Sequence, residues 1–213
     1  MSNDALILAL SADLAPVRRR NSWGEAALLL ALAAAELALV LGLGLMRPDM
    51  GRTIGSAYML WKLGSLAVLA GISCAVAVRS FSPMASPRGG LALALAVAGL
   101  AIGMGLLVAP GDGGGVSLVD RLAPVRGLLC AASIIVLSLP IMAALAVLMR
   151  RGAPVHPEAS ALAAGLAAGT GGALVFAFCC PVNDPLYVVV WYFTGCAAVA
   201  AAARWLLPRG FRL

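Results

Sequence analysis

Charged side chains are scarce in this sequence: only 11% of its 213 residues are Asp, Glu, Lys or Arg. Hydrophobic residues make up 62%, and the mean hydropathy is +1.01. Soluble globular domains carry about 25% charged residues. The scarcity of charge therefore excludes a protein whose main solvent is water, and it predicts an integral membrane protein.

Histidine is nearly absent, and the Cys-x-x-Cys motif is missing. The one histidine, His156, is far from any other candidate ligand, which excludes a metal site built on histidines. Any metal or redox chemistry must therefore come from the five cysteines. These are Cys74, Cys130, Cys179, Cys180 and Cys196.

Long apolar runs dominate the rest of the chain. Runs of roughly 20 residues, the length that crosses a hydrocarbon core, lie at about 25–46, 56–78, 91–109, 126–149, 160–178 and 185–207. Because unpaired backbone groups are costly in lipid, and the runs lack the alternation of barrel strands, each is predicted to be a helix. We expect an all-α, six-helix transmembrane domain at 25–207, a cytoplasmic segment at 1–24 and a tail at 208–213.

The distribution of arginine predicts the orientation, because cytoplasmic loops collect basic residues. With the N-terminus inside, the cytoplasmic side holds Arg18, Arg19, Arg20, Arg79, Arg88, Arg150, Arg151, Arg204, Arg209 and Arg212, against Arg47, Arg52, Arg121 and Arg126 outside. We expect a bacterial inner-membrane protein with both termini in the cytoplasm and an uncleaved first span. The net charge of +6 then reflects orientation and contact with the lipid bilayer, and no direct nucleic-acid partner is expected.

Two charged residues fall inside the predicted spans, where charge is costly. Glu36 is halfway through the first span, and Lys62 is one to two turns inside the second. Antiparallel helices joined by an outer loop would place both in the same membrane half, which predicts an ion pair; a proton or ion relay is the alternative. Near the middle of the fourth span, Pro140 removes a backbone hydrogen bond, and we expect a helix hinge there.

Three cysteines are predicted to lie at one level, near the outer membrane surface. Cys130 is about one turn inside the fourth span, and Cys179 and Cys180 end the fifth. In an oxidising compartment such thiols can form a disulfide if their Cα atoms come within about 7 Å, or bind a soft metal together. Adjacent cysteines rarely bridge each other, so we expect one of the two to pair with Cys130. Cys74 and Cys196 are expected to pack as small hydrophobes.

The first 20 residues contain a short helical pattern. Its apolar residues recur at intervals of three and four: Leu6, Leu10, Leu14 and Val17. We expect a helix of about four turns, disfavoured beyond Ala15 by Pro16. So short a helix is marginal alone in water, so it should fold against a protein partner or the membrane surface. Asp4 and Asp13 on its polar face favour the protein partner.

Five motifs follow one another along nearly the whole chain: LILALSADLAPVRR, LMRPDM, YMLWKLGSLAVLA, LLCAASIIVLSLP and CPVNDPLYVVVWY. Together they resemble the NrsF-type anti-sigma factors, a family of six-span bacterial membrane proteins that restrain an extracytoplasmic-function (ECF) sigma factor. The resemblance implies a regulator that is not an enzyme. It also implies that the N-terminal segment binds the sigma factor, through residues that include Leu6, Leu10, Asp13, Leu14, Pro16, Val17 and Arg18.

The same resemblance implies that the periplasmic cysteines sense heavy-metal or oxidative stress. Cys130 and Cys180, with Cys179 as a further candidate, would act as a disulfide pair or as thiolate ligands of a transient soft metal ion; no resident cofactor is required. We hypothesise that bridging or metallating Cys130 and Cys180 shifts the fourth helix against the fifth and changes the docking of the first.

Two other classes of function stay open. A thiol-dependent transporter of the mercuric-ion type, or a membrane thiol oxidoreductase, would also use paired cysteines, but a relay to the cytoplasm would have to run through Cys196 and Cys74. A structural subunit of a larger membrane complex, or a homo-oligomer, is suggested by the small residues on the spans, which let helices approach closely in lipid.

Overall fold

A computed structural model describes residues 3–12, 21–108 and 118–211. All regular structure in these ranges is helical. The elements are α1 (Asn3–Ala12), α2 (Ser22–Gly42), α3 (Met50–Thr53), α4 (Ala57–Ser80), α5 (Arg88–Val108), α6 (Leu118–Leu122), α7 (Pro124–Arg151), α8 (Pro157–Ala177), α9 (Pro185–Leu206) and a last 3-10 turn (Pro208–Phe211). Six of them (α2, α4, α5, α7, α8 and α9) are long and apolar enough to cross a membrane, which confirms the predicted all-α, six-span architecture. The orientation stays a prediction.

Helix ends follow from capping side chains and from proline. The Asn21 side chain accepts a hydrogen bond at the start of α2, Ser56 does so at α4, and Asp184 does so at α9. Proline is the first residue of α7, α8 and α9, where its missing N–H costs nothing. The first span stops at Gly42, short of the predicted residue 46, because Gly44 adopts a φ of +71°, a left-handed conformation that ends helices and favours glycine.

The small-residue helix α8 is the centre of the bundle. It packs against α4, α7 and α9; α5 covers α4 and α9 from outside, and α2 contacts α7, α4 and α8. Nearly all the buried residues of α8 are alanine and glycine. Because lipid provides no hydrophobic driving force between helices, close packing of small residues is a main source of their association.

Two glycines of α8, about two helical turns apart, permit backbone contact with two different helices. A Cβ at Gly172 would lie 2.8 Å from the Ser138 nitrogen and 2.9 Å from the Ile134 oxygen of α7. One at Gly165 would lie 2.6 Å from the Ala200 Cα of α9. Any side chain at these positions would push α8 away from its neighbours.

The helix connections gather at two ends of the bundle. Backbone hydrogen bonds join the connection after α2 to that after α8 (Arg47 N to Phe178 O), and the connection after α4 to that after α7 (Ala153 N to Phe81 O). Residues 43–56, 118–123 and 178–184 form what we call the Cys180 end. Residues 81–87, 152–156 and the first turn of α2 form the opposite end, called the N-terminal end.

The N-terminal helix is described over part of the four turns predicted from sequence. Helix α1 covers Asn3–Ala12, with Leu6 and Leu10 inside it. The other residues implied in sigma binding, Asp13, Leu14, Pro16, Val17 and Arg18, lie outside the described residues. Their role stays a prediction.

Substituting Gly172 tests the central position of α8. Gly172→Ala should lower the free energy of unfolding by about 1–3 kcal/mol, because the new methyl group overpacks the α7–α8 contact. Gly99→Ala is the matched control, since a Cβ at Gly99 on the exposed face of α5 meets nothing within 4 Å. The measurement is the midpoint of denaturant unfolding of the protein in detergent micelles. Equal midpoints for the two variants would contradict this packing.

Candidate thiol site

A buried guanidinium organises the Cys180 end. Arg47, which is 2% exposed, donates two hydrogen bonds of 2.6 Å to the Asp49 carboxylate. It also donates to Asn183 Oδ1 at 2.9 Å and to the Cys180 carbonyl at 3.3 Å. These hydrogen bonds lower the pKa of the Asp49 carboxyl. Arg47 thereby fixes the connection that carries Cys180 to the connection that follows α2.

A second ion pair attaches α6 to α9. Arg121 donates to both oxygens of Asp184, at 2.9 and 3.2 Å, and Asp184 also accepts from the Leu186 N–H at the start of α9. Burial raises the pKa of Asp184, but the hydrogen bonds from Arg121 and the Leu186 N–H outweigh it, and the pKa is lowered. The Trp191 indole donates to the Leu122 carbonyl at 2.8 Å, so the chain entering α7 lies against α9.

Cys130 and Cys180 lie side by side at this end. Cys180 is 1% exposed and belongs to a hydrophobic cluster against which Cys130 of α7 packs, and the two thiols interact electrostatically. Cys130 is less buried than Cys180, and its Sγ is 3.2 Å from Tyr187 Oη. Both cysteines are unbridged. Three separate parts of the chain, α7, the connection after α8 and α9, therefore meet at this pair of thiols.

Lys62 enters the same region from α4. Its side chain is 1% exposed, and Nζ is 5.2 Å from the centre of the Tyr192 ring, an attractive geometry between a cation and a ring face. The nearby groups that act on it electrostatically include the thiols of Cys180 and Cys130. Nζ has no hydrogen-bond partner among the described residues. A buried ammonium therefore lies next to a pair of thiols.

These neighbours distinguish the two adjacent cysteines. The hydrogen bond from Cys130 lowers the pKa of the Cys180 thiol; burial opposes this effect, and the Lys62 ammonium adds to it. Burial raises the pKa of Cys179 instead. Cys180 is therefore the residue of the pair that favours the thiolate, the nucleophilic form of cysteine.

The remaining cysteines differ in their surroundings. Cys74 packs against another hydrophobic cluster, which contains Leu145 and Ala164, whereas Cys196 of α9 packs against the cluster of Cys180 and lies against Gly169 of α8. Pro140 lies inside α7, which continues as one helix through it. The proposed hinge at Pro140 stays a prediction.

The ion pair predicted between Glu36 and Lys62 is not formed, and that prediction was wrong. Glu36 is 9% exposed, and its Oε2 has no hydrogen-bond partner among the residues that the structure describes. Lys62 points to Tyr192 of α9, whereas α2 packs against α7, α4 and α8. Hydropathy predicted the depth of the two charges but not the direction in which each side chain points.

Sequence reasoning assigned no role in the site to Arg47, Asn183, Tyr187 or Tyr192. Arg47 and Asp49 flank Pro48 directly after the first span, and Asn183 precedes the capping Asp184 before the last. A basic and an acidic residue this close to the end of a span could have indicated a buried ion pair there. Arg47 was counted only for orientation.

The chemistry available here is that of two thiols beside a buried lysine. Among the described residues there is no group of three or more His, Cys, Asp or Glu side chains that could hold a metal ion. Tetrahedral zinc sites take four ligands. Two adjacent sulfurs, one of them favouring the thiolate, are instead suited to forming and breaking a disulfide.

The fold and the site define an all-helical, multi-pass membrane protein with a buried dithiol at one end of its bundle. The sequence model of the NrsF family, described as negative regulator of sigma F, matches residues 10–213, and the chain belongs to this family. The resemblance found in the motifs is thus confirmed. Membership implies negative regulation of a sigma factor, with a sigma factor as partner, and suggests a regulator that is not an enzyme. No curated protein and no solved structure matches the chain.

Proposed function

We propose that this protein is an inner-membrane anti-sigma factor that holds an ECF sigma factor through its N-terminal segment and releases it when Cys130 and Cys180 are oxidised to a disulfide. The proposal rests on one observation: Cys130 and Cys180, from distant parts of the chain, pack in the same hydrophobic cluster in a protein whose family regulates a sigma factor negatively. The pair can act as a switch between two covalent states, the reduced dithiol and the disulfide.

The properties of the two thiols support oxidation as the signal. Disulfide formation begins with attack by a thiolate, and the lowered pKa of Cys180 favours that form near neutral pH. Cys130 is the more accessible of the two, so an oxidant can reach the pair from its side. Once the Cys180 thiolate has attacked the oxidant, the Cys130 thiol is already in position to complete the disulfide.

The surroundings disfavour metal capture by comparison. A divalent cation bound to the two sulfurs would meet the positive charge of Lys62, and the described residues provide no third ligand of the usual kinds. A metal carrier would also need thiols along a path to the other end of the bundle. Cys196 packs against the cluster of Cys180, but Cys74 packs in a different one. These facts favour the thiol switch over the transporter.

The proposed orientation puts the Cys180 end in the periplasm. Several arginines lie at the opposite end, in the last turns of α4, α7 and α9 and at the start of α5: Arg79, Arg88, Arg150, Arg151 and Arg204. Basic residues at span ends favour the cytoplasmic side. The thiols then face the oxidising compartment, and the segment before α2 faces the sigma factor.

The proposed signal passes along α7 to α2. Cys130 is close to the first turn of α7, Arg151 ends it, and α2 packs against it. A disulfide to Cys180 would fix the first turns of α7 to the connection after α8 and change the support that α7 gives to α2. A coupling of about 1–3 kcal/mol between the two ends is enough for regulation.

Replacing apolar residues of α1 tests the sigma-binding segment. Leu6→Asp combined with Leu10→Asp should weaken sigma binding at least about tenfold, because each buried leucine contributes about 1.5–3 kcal/mol. Ser11→Asp with Ala12→Asp is the matched control, since it adds the same charge at exposed positions of the same helix. Co-purification of the sigma factor with the full-length protein measures the effect. Undiminished co-purification with the leucine variant, at normal membrane levels, rules out this binding mode.

Serine substitutions test the pair. Cys130→Ser, Cys180→Ser and the double variant should all lose induction of sigma-dependent transcription by a hydroperoxide to the same extent, because losing either thiol removes the disulfide. Cys196→Ser is the control and should respond normally. Independent packing roles would instead give additive effects. Full induction in the double variant, with the protein present in the membrane, would refute the proposed switch.

A further inference from the structure

Lys62 is the only lysine of the chain, and its charge needs a partner. An isolated buried ammonium is strongly unfavourable unless it is paired. Three aspartates are described at the Cys180 end: Asp49 is engaged by Arg47, Asp184 is engaged by Arg121, and Asp120 has an interaction of its own on the exposed surface. Lys62 therefore has to find its negative charge among the groups that surround the thiols.

Among the groups that face Cys130 and Cys180, the thiols themselves are the source of the negative charge that Lys62 needs. The titratable and charged side chains that interact with Cys180 are Arg47, Tyr58, Lys62, Cys130, Cys179, Tyr187 and Tyr192. None of these is a carboxylate, and the carboxylate of Asp184, which acts on Tyr58, is engaged by Arg121. Phenols ordinarily stay neutral near pH 7, with a reference pKa of about 10.

Two unsatisfied donors point to the same conclusion. Lys62 Nζ and Tyr192 Oη are both buried without a hydrogen-bond partner among the described residues, and both interact with Cys180. Buried polar atoms are almost always satisfied in folded proteins. A negatively charged sulfur at Cys180 would attract both donors and balance the ammonium, which a neutral thiol does poorly.

We infer that Lys62 is the counter-ion of the Cys130–Cys180 pair: it holds the reduced pair as a monoanion that shares one proton, and it gives up its own proton when the pair is oxidised. The inference rests on the proposed thiol switch and makes Lys62 its positioning residue. Oxidation thereby becomes a change of charge inside the bundle as well as the formation of a bond.

The step balances with a hydroperoxide as the oxidant. The pair, one thiolate and one thiol, loses two electrons and forms the S–S bond, while the O–O bond of the hydroperoxide breaks. The oxygen bound to carbon leaves as the alcohol after taking up one proton from the Lys62 ammonium. The terminal oxygen keeps its own hydrogen and leaves as water after taking up the thiol proton. The products are a disulfide, a neutral lysine amine, an alcohol and water.

Loss of the charge affects α4 directly. The neutral Lys62 amine no longer has the charge that attracts it to a thiolate. It also loses the cation–ring interaction with Tyr192 of α9. Helix α4 contacts α2 and α8, so a change at Lys62 reaches the helix that follows the N-terminal segment. Lys62 gives the switch a second route from the thiols to α2.

The charge of Lys62 can be measured in the unmodified protein. Full-length protein carrying 13C at the lysine Cε, in phospholipid nanodiscs, gives one lysine side-chain signal because the chain has one lysine. At pH 7 the signal should be that of an ammonium in the reduced protein and of a neutral amine after hydrogen peroxide has formed the disulfide. The same protonation state in both forms would overturn the inference.

Substitution of Lys62 supplies the second readout, which is the pH profile of disulfide formation with hydrogen peroxide. Peptide-resolved mass spectrometry measures the disulfide at each pH. Lys62→Met should slow the reaction at pH 7 about tenfold or more and move its profile to higher pH, because the thiolate loses its counter-ion. Lys62→Arg should restore rate and profile. Arg52→Met, which removes an exposed charge at the same end, should match the wild type.

The outcomes separate this inference from the proposed function. If the wild-type protein forms no Cys130–Cys180 disulfide, both are overturned. If the disulfide forms and the Lys62→Met profile coincides with that of the wild type, only the role of Lys62 is overturned. If Lys62→Met does not enter the membrane, the lysine signal of the wild-type protein decides alone.

Discussion

The hydrogen bonds of Arg47 are the constraint on which the thiol site depends. The connection after α8 is short and irregular, and Arg47 holds it through the Cys180 carbonyl and Asn183 while its own charge is balanced by Asp49. A buried guanidinium with several acceptors in fixed positions is well suited to such a role. Cys180 therefore keeps a defined place beside Cys130, although the two thiols belong to different parts of the chain.

The thiol site also depends on helix α8, because its small residues let three helices pack around it. Gly165 and Gly172 let α9 and α7 approach its backbone, and α4 packs along another side. Lys62 from α4, Cys130 from α7 and Tyr192 from α9 consequently meet around the end of α8. A charge and two thiols placed together in this way can convert a redox event at one end of the bundle into altered helix contacts along it.

The six helices and the family could be predicted from the sequence. The common level of Cys130 and Cys180 could also be predicted, because hydropathy and span boundaries determine depth in a membrane. The sequence was insufficient for the direction of side chains around a helix axis. Glu36 and Lys62 were therefore paired by depth, although Lys62 faces Tyr192. The role of Arg47 was also missed, since its partners Cys180 and Asn183 are distant in sequence and meet it only in the folded bundle.

The most direct test follows sigma release and thiol oxidation in one sample. Full-length protein with its sigma factor bound, in phospholipid nanodiscs, is treated with a hydroperoxide; released sigma factor and the Cys130–Cys180 disulfide are measured at the same time points. The account predicts that both rise together and that a reductant restores binding. Release while both thiols remain reduced, or a complete disulfide with the sigma factor still bound, would contradict it.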